Sequence, residues 1–125
     1  MICRMHGLHL TADLRGCAAH LPHMEVPADL RALCLQAVAT AGLQPVGELF
    51  HQFPAPGGVT GVVLLAESHL AVHTWPELGA VTLDVYVCNL GADNSAKARA
   101  LLAALQSAFA PQQAEHHEVQ RGAVA

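Results

Sequence analysis

Between Ala80 and Cys88 the chain alternates strictly. Val81, Leu83, Val85 and Val87 fall on one side of an extended strand, and Thr82, Asp84, Tyr86 and Cys88 on the other. Gly7 to Asp13 alternates more loosely and predicts a first strand that ends near Arg15-Gly16. Pro22 to Pro27 reads as a loop. From Asp29, a suitable N-cap, Leu30, Leu33, Cys34, Ala37, Val38 and Ala41 recur at helical spacing, and Gly42 stops the helix. Leu43 to Phe53 predicts a second strand, and Pro54 to Gly58 a turn. Val59 to Ala66 and Leu70 to Trp75 are further extended runs. Asn94 or Ser95 can cap a second helix, whose apolar residues include Leu101, Leu102, Leu105 and Phe109. Pro111 follows it, and the tail is polar, with a short strand around Val119. There is no internal repeat. The order β-α-β-β-β-α with short connections predicts one α+β domain over residues 1–125. Its fold is a two-layer sandwich, an antiparallel sheet with two helices on one face. The second sheet face is expected to carry apolar side chains that another copy covers, giving a homodimer.

Composition narrows the function. Of the 125 residues 53% are apolar and 13% charged, which excludes a disordered chain. Lys97 is the one lysine and the net charge is -4, so no phosphate-neutralising surface for nucleic acid can be built. No apolar run reaches the length of a membrane span. Met1 to His6 lacks the pattern of a signal peptide. Cys3, Cys17, Cys34 and Cys88 are scattered without a C-x-x-C pair. Together these predict a cytoplasmic protein with reduced thiols. The nine histidines are many for this length. Those at 20, 23, 116 and 117 fall in predicted loops and are expected to be solvated.

Chemistry concentrates in Glu67-Ser68-His69-Leu70-Ala71-Val72-His73-Thr74-Trp75-Pro76-Glu77. A serine hydroxyl able to act as nucleophile, two imidazoles, two carboxylates and the sole tryptophan follow directly on a strand-like run. Three readings compete. His69 and His73 at i, i+4 would suit a metal on a helix. The β-branched and aromatic neighbours favour a strand, however, which sets the imidazoles about 13 Å apart at roughly 3.3 Å per residue. A serine hydrolase would need a sharp strand-to-helix elbow of the Gly-x-Ser-x-Gly type, and none is present. The third reading is a set of paired polar residues at a sheet rim.

ESHLAVHTWPE resembles the self-processing segment of the bacterial and archaeal S-adenosylmethionine decarboxylases, a small pyruvoyl-dependent family. GLHLTADLRGC (Gly7 to Cys17), GGVTGVVLLAESH (Gly57 to His69) and LDVYVC (Leu83 to Cys88) resemble the amino-terminal strand, the strand before the cleavage site and the strand ending in a catalytic cysteine. The resemblance implies a proenzyme. Ser68 attacks the carbonyl of Glu67, and cleavage leaves a β chain 1–67 and an α chain 68–125. The α chain then begins with a pyruvoyl group made from Ser68. That group forms a Schiff base with the substrate, and no external cofactor or metal is needed. By the same resemblance, His73 accepts the proton during processing and Thr60 stands for a processing serine. Cys88 is the proton donor in decarboxylation, and a free thiol, titrating near ~8.5 in peptides, carries its proton at neutral pH. Phe53, Trp75 and Glu77 are substrate-binding candidates: rings for the adenine or sulfonium, a carboxylate for the ribose. For Phe53, core packing is an equal alternative. The family forms its sites at a homodimer interface with residues from both chains.

The implied reaction turns S-adenosyl-L-methionine into S-adenosylmethioninamine and carbon dioxide for spermidine biosynthesis. The sequence departs from the family in the Pro/Gly turn before Val59, in Asn89 where glycine is common, and in its last quarter. L-Ornithine or L-arginine therefore stays open as the decarboxylated substrate. A non-catalytic metal- or ligand-binding module is the alternative of another class.

Overall fold

The structure, a computed structural model, describes residues 6–122. Cys3 lies outside them. The elements run β1 (Gly7–Arg15), α1 (Pro22–Glu25), α2 (Pro27–Thr40), β2 (Pro45–Gln52), β3 (Val59–Leu65) and β4 (Ser68–Trp75). A 3-10 turn (Pro76–Leu78), β5 (Ala80–Cys88), α3 (Ser95–Phe109) and β6 (Gln113–Arg121) complete them. All six strands form one sheet of order β2-β3-β4-β5-β1-β6, with every neighbouring pair antiparallel. This is the expected α+β sandwich.

The alternation in β5 decides the layers. Val81, Leu83, Val85 and Val87 are fully buried, as are Leu70 and Val72 on β4. They meet Leu30, Cys34 and Val38 of α2 and Leu101, Leu105 and Phe109 of α3 in one core. Each such side chain contributes about 1.5–3 kcal/mol by leaving water. The helical stripes thus lie where the 3.6-residue period put them. Cys34 is buried in this core, and burial pushes its thiol up to about 12.

Four local expectations change. Pro22 to Pro27 is not a loop throughout: Pro22 starts the helical turn α1, whose Met24 is fully buried. Four residues are too few to show a period. Asp29 is not the N-cap, because Pro27 sits at the first helical position and Val26 precedes it. The Asp29 carboxylate lies in the first turn instead, where it favours the helix dipole. The tail forms a strand of nine residues, paired with β1 from Gly7↔Arg121 to Arg15↔Gln113. Its side chains are exposed on both faces, so no apolar alternation marks it, and its charges guard an open sheet edge. Of the four histidines expected in loops, His20 remains exposed in a turn. His23 lies in α1 and bonds the Ala108 carbonyl at 2.8 Å, while His116 and His117 belong to β6.

The sheet face away from the helices is mixed rather than apolar. Leu49 and Leu64 are exposed toward the β2 edge. The register places His9, Tyr86 and His69 in one row across β1, β5 and β4, with Thr11, Asp84 and Ala71 in the next. Odd positions of β4 and even positions of β5 share this face and are mostly half-buried.

Candidate active site

The site residues fall into two groups at opposite ends of β4. The first is built on the β3–β4 hairpin. Leu65 pairs with Ser68, so Ala66 and Glu67 make a two-residue turn. Glu67 has φ 60, a left-handed conformation that costs a residue with a Cβ about 1–2 kcal/mol. The backbone is thus strained at Glu67, the residue immediately before Ser68. Because the ladder ends here, the Cys88 backbone N–H, at the end of β5, donates to Ser68 Oγ at 3.3 Å. Cys88 is 8% exposed. Its side chain shares the parity of Tyr86 and Asp84, as its place in the alternation predicted.

Beside this group, on the open face, the His69 ring stacks on Tyr86 at 5.6 Å and meets His9 edge-on at 6.3 Å. His9 Nε2 lies 3.5 Å from Asp84, and Arg121 covers the Tyr86 ring at 5.7 Å. Burial lowers the pKa of His69, His9 and Arg121 lower it further, and Asp84 opposes them. A histidine whose folded pKa lies below its unfolded value gains a proton on unfolding. Its stabilising contribution is present above the ordinary value near ~6.5 and is lost as pH falls below it. Urea midpoints are therefore expected to drop between pH of about 7 and about 5.5, with His69→Gln reducing the drop. Identical pH profiles for the two proteins would contradict this assignment.

The second group lies at the other end of β4. Thr60 and His73 are cross-strand partners, with Thr60 Oγ1 and His73 Nδ1 3.0 Å apart. His73 stacks on Trp75 at 5.9 Å with 29° between the rings. Phe53, Thr60, His73, Trp75 and Glu77 line one cleft of about 370 Å³ together with Gly57, Gly58 and Thr74. Phe53 is 46% exposed, so it belongs to the cleft and not to the core. All five of these sequence-predicted residues therefore come together.

Thr74 is a residue the sequence reasoning passed over. It is 3% exposed, accepts from the Val59 N–H and donates to the Met24 carbonyl, both at 2.8 Å. It ties β3, β4 and α1 together behind the cleft. The signal was present: a hydroxyl on the Leu70/Val72 face of a strand must find partners inside the core. Gly58 is required by the same contact, since a Cβ there would stand 2.0 Å from the Thr74 carbonyl oxygen.

Within one chain the two groups do not meet. Ser68 and His73 are five residues apart on one strand, about 16 Å at roughly 3.3 Å per residue. His69 and His73 share a face but stand four residues apart on the same strand. Among the described residues no group of three or more His, Cys, Asp or Glu is placed to hold a metal ion. A larger groove of about 760 Å³ between α3 and β6 contains none of the predicted residues.

The chain is similar to known proteins over this whole framework. Residues 8–122 match the family described as S-adenosylmethionine decarboxylase. An S-adenosylmethionine decarboxylase proenzyme of Archaeoglobus fulgidus is 39% identical, over 93% of this chain and 97% of the relative. One of Persephonella marina is 49% identical over 66% of this chain, and the chain spans 59% of that relative's length. The crystal structure of the adenosylmethionine decarboxylase from Aquifex aeolicus superposes with a TM-score of 0.86 at 36% identity. That match covers 98% of this chain and 95% of the other.

Proposed function

The chain belongs to the S-adenosylmethionine decarboxylase family, and on that premise we propose that it is a self-processing, pyruvoyl-dependent decarboxylase of S-adenosyl-L-methionine. The observation that carries this reading is Ser68 Oγ held by the Cys88 N–H at the foot of a strained Glu67.

Processing begins when Ser68 Oγ adds to the Glu67 carbonyl carbon. The C–N bond breaks, the proton leaving the hydroxyl reaches the freed nitrogen, and an ester replaces the amide. The left-handed Glu67 raises the ground state of this step, and the Cys88 N–H fixes the direction of the nucleophile. A base then removes the Cα proton of residue 68 and the Glu67 carboxylate departs. The resulting enamine hydrolyses, releasing ammonia and leaving a ketone at the new chain start. His73, oriented through Nδ1 by Thr60, is the base. It belongs to the other chain of a homodimer, since its own Ser68 is out of reach. Thus each of two sites takes Ser68 and Cys88 from one chain and Thr60, His73 and the cleft from its partner.

The position suits the pyruvoyl group, because residue 68 is half-buried between strands with a backbone donor and a thiol-bearing residue beside it. The group supplies a carbonyl for the substrate amine and an adjacent amide that draws electrons as carbon dioxide leaves. Trp75 and Phe53 then hold the adenine and sulfonium by stacking, and Glu77 takes the ribose hydroxyls. Cys88 returns a proton to the carbon that lost carbon dioxide. The product, S-adenosylmethioninamine, serves spermidine synthesis. Free thiols at Cys17, Cys34 and Cys88 support a cytoplasmic setting, and no helix among the described residues is long and apolar enough to cross a membrane.

Carbon dioxide release from labelled S-adenosylmethionine, L-ornithine and L-arginine tests the substrate. Release from S-adenosylmethionine alone is expected. Release only from a free amino acid would overturn the substrate while leaving the processing chemistry in place.

A further inference from the structure

The loop after β5 holds Cys88 in a way that the reaction described above does not use. Asn94 occupies the N-cap position of α3, yet its side chain makes no capping bond. An asparagine there ordinarily accepts from a backbone N–H of the first helical turn. Here Asn94 reaches back instead, and its Nδ2 donates to the Cys88 carbonyl at 2.9 Å. Asn89 braces this arrangement. Its Oδ1 accepts from the Asn94 backbone N–H at 2.7 Å, and its Nδ2 donates to Ser95 Oγ at 3.1 Å. Its own backbone N–H donates to the His6 carbonyl at 2.6 Å, extending the β1–β5 ladder one residue past the strand. Asp93 takes over the role Asn94 has given up, with Oδ1 accepting from the Ser95 N–H at 2.9 Å. The loop is therefore anchored to α3, whose Ala98, Leu101 and Leu105 are fully buried.

Cys88 is thus tethered at both backbone groups: its N–H to Ser68 Oγ, its carbonyl to Asn94. Processing consumes the Ser68 hydroxyl. Among the described residues the carbonyl tether is the one side-chain bond to the Cys88 backbone that does not involve the Ser68 hydroxyl. We propose that Asn94, braced by Asn89, is the positioning residue of the proton donor, keeping the Cys88 thiol aimed at the reacting carbon in the cleaved enzyme. This rests on the reading of Cys88 as the proton donor.

Asn94→Ser tests it, because serine keeps a good N-cap and no charge but is too short to bond the Cys88 carbonyl. The variant is expected to cleave at Ser68 as the wild type does. Its kcat falls about tenfold or more, as misaimed catalytic groups do, while KM stays within about twofold. In the cleaved protein, alkylation of Cys88 by iodoacetamide, mapped by mass, rises severalfold while that of Cys17 and Cys34 is unchanged. If Asn94→Ser does not fold, Asn89→Ala, which removes the brace, is read in the same way. Wild-type kcat together with wild-type Cys88 alkylation overturns the proposal. Cys88→Ala separates the two readings. Full turnover in that variant removes the proton donor itself, whereas slow turnover beside a wild-type Asn94→Ser removes only the tether.

Discussion

Ser68→Ala is expected to give one uncut chain, from Met1 to Ala125, with carbon dioxide release at background. In the proposed processing the hydroxyl is the nucleophile and also the group whose loss creates the ketone, so no neighbouring group can replace it. The fold survives the change. The substitution removes one hydrogen bond, from the Cys88 N–H, worth about 1 kcal/mol, against a total stability on the order of 5–15 kcal/mol. The core, from Leu8 to Phe109, is untouched. A folded Ser68→Ala protein that still cuts between residues 67 and 68 would remove the proposed nucleophile.

Mixing two defective chains is expected to restore cleavage. His73→Ala alone stalls, slowed by about 10²–10⁴, the usual contribution of a positioned base. Ser68→Ala alone cannot cleave. When the two are produced together, the His73→Ala chain meets an intact His73 on its Ser68→Ala partner. Its own Ser68 can then be processed, and the α fragment recovered carries the His73→Ala mass. The reason is geometric: β4 is one continuous extended strand from Ser68 to Trp75, and no rotamer of His73 spans five residues along it. Co-produced chains that remain uncut would show that the base acts within its own chain or is another residue.

How much of this the sequence disclosed depends on whether a residue's role was local. The alternation of Val81 to Val87 and the helical stripe of Leu30, Cys34 and Val38 are repeated signals, and both mark buried faces. Thr60, His73 and Glu77 are indicated by resemblance and Phe53 and Trp75 by the chemistry of their rings, and cross-strand register brings all five into one cleft. Turn α1 and strand β6 were not legible over their true lengths. One is too short for a period, and the other is exposed on both faces, its pairing fixed by backbone bonds that carry no side-chain pattern. Thr74 looked like one more β-branched strand residue, because its value lies in the Val59 and Met24 backbone groups it satisfies. The diversion of Asn94 from its cap was equally invisible, since a capping asparagine and one that reaches back to Cys88 read alike. The separation of Ser68 from His73 was implicit in strand spacing, but it gains meaning only once β4 is known to be unbroken.

The most direct measurement is the intact mass of the purified wild-type protein. Two fragments are predicted, Met1–Glu67 and a second covering residues 68–125 whose first residue carries a ketone in place of an amine and therefore resists amine labelling. A single uncut chain with the mass of the whole sequence would contradict the account.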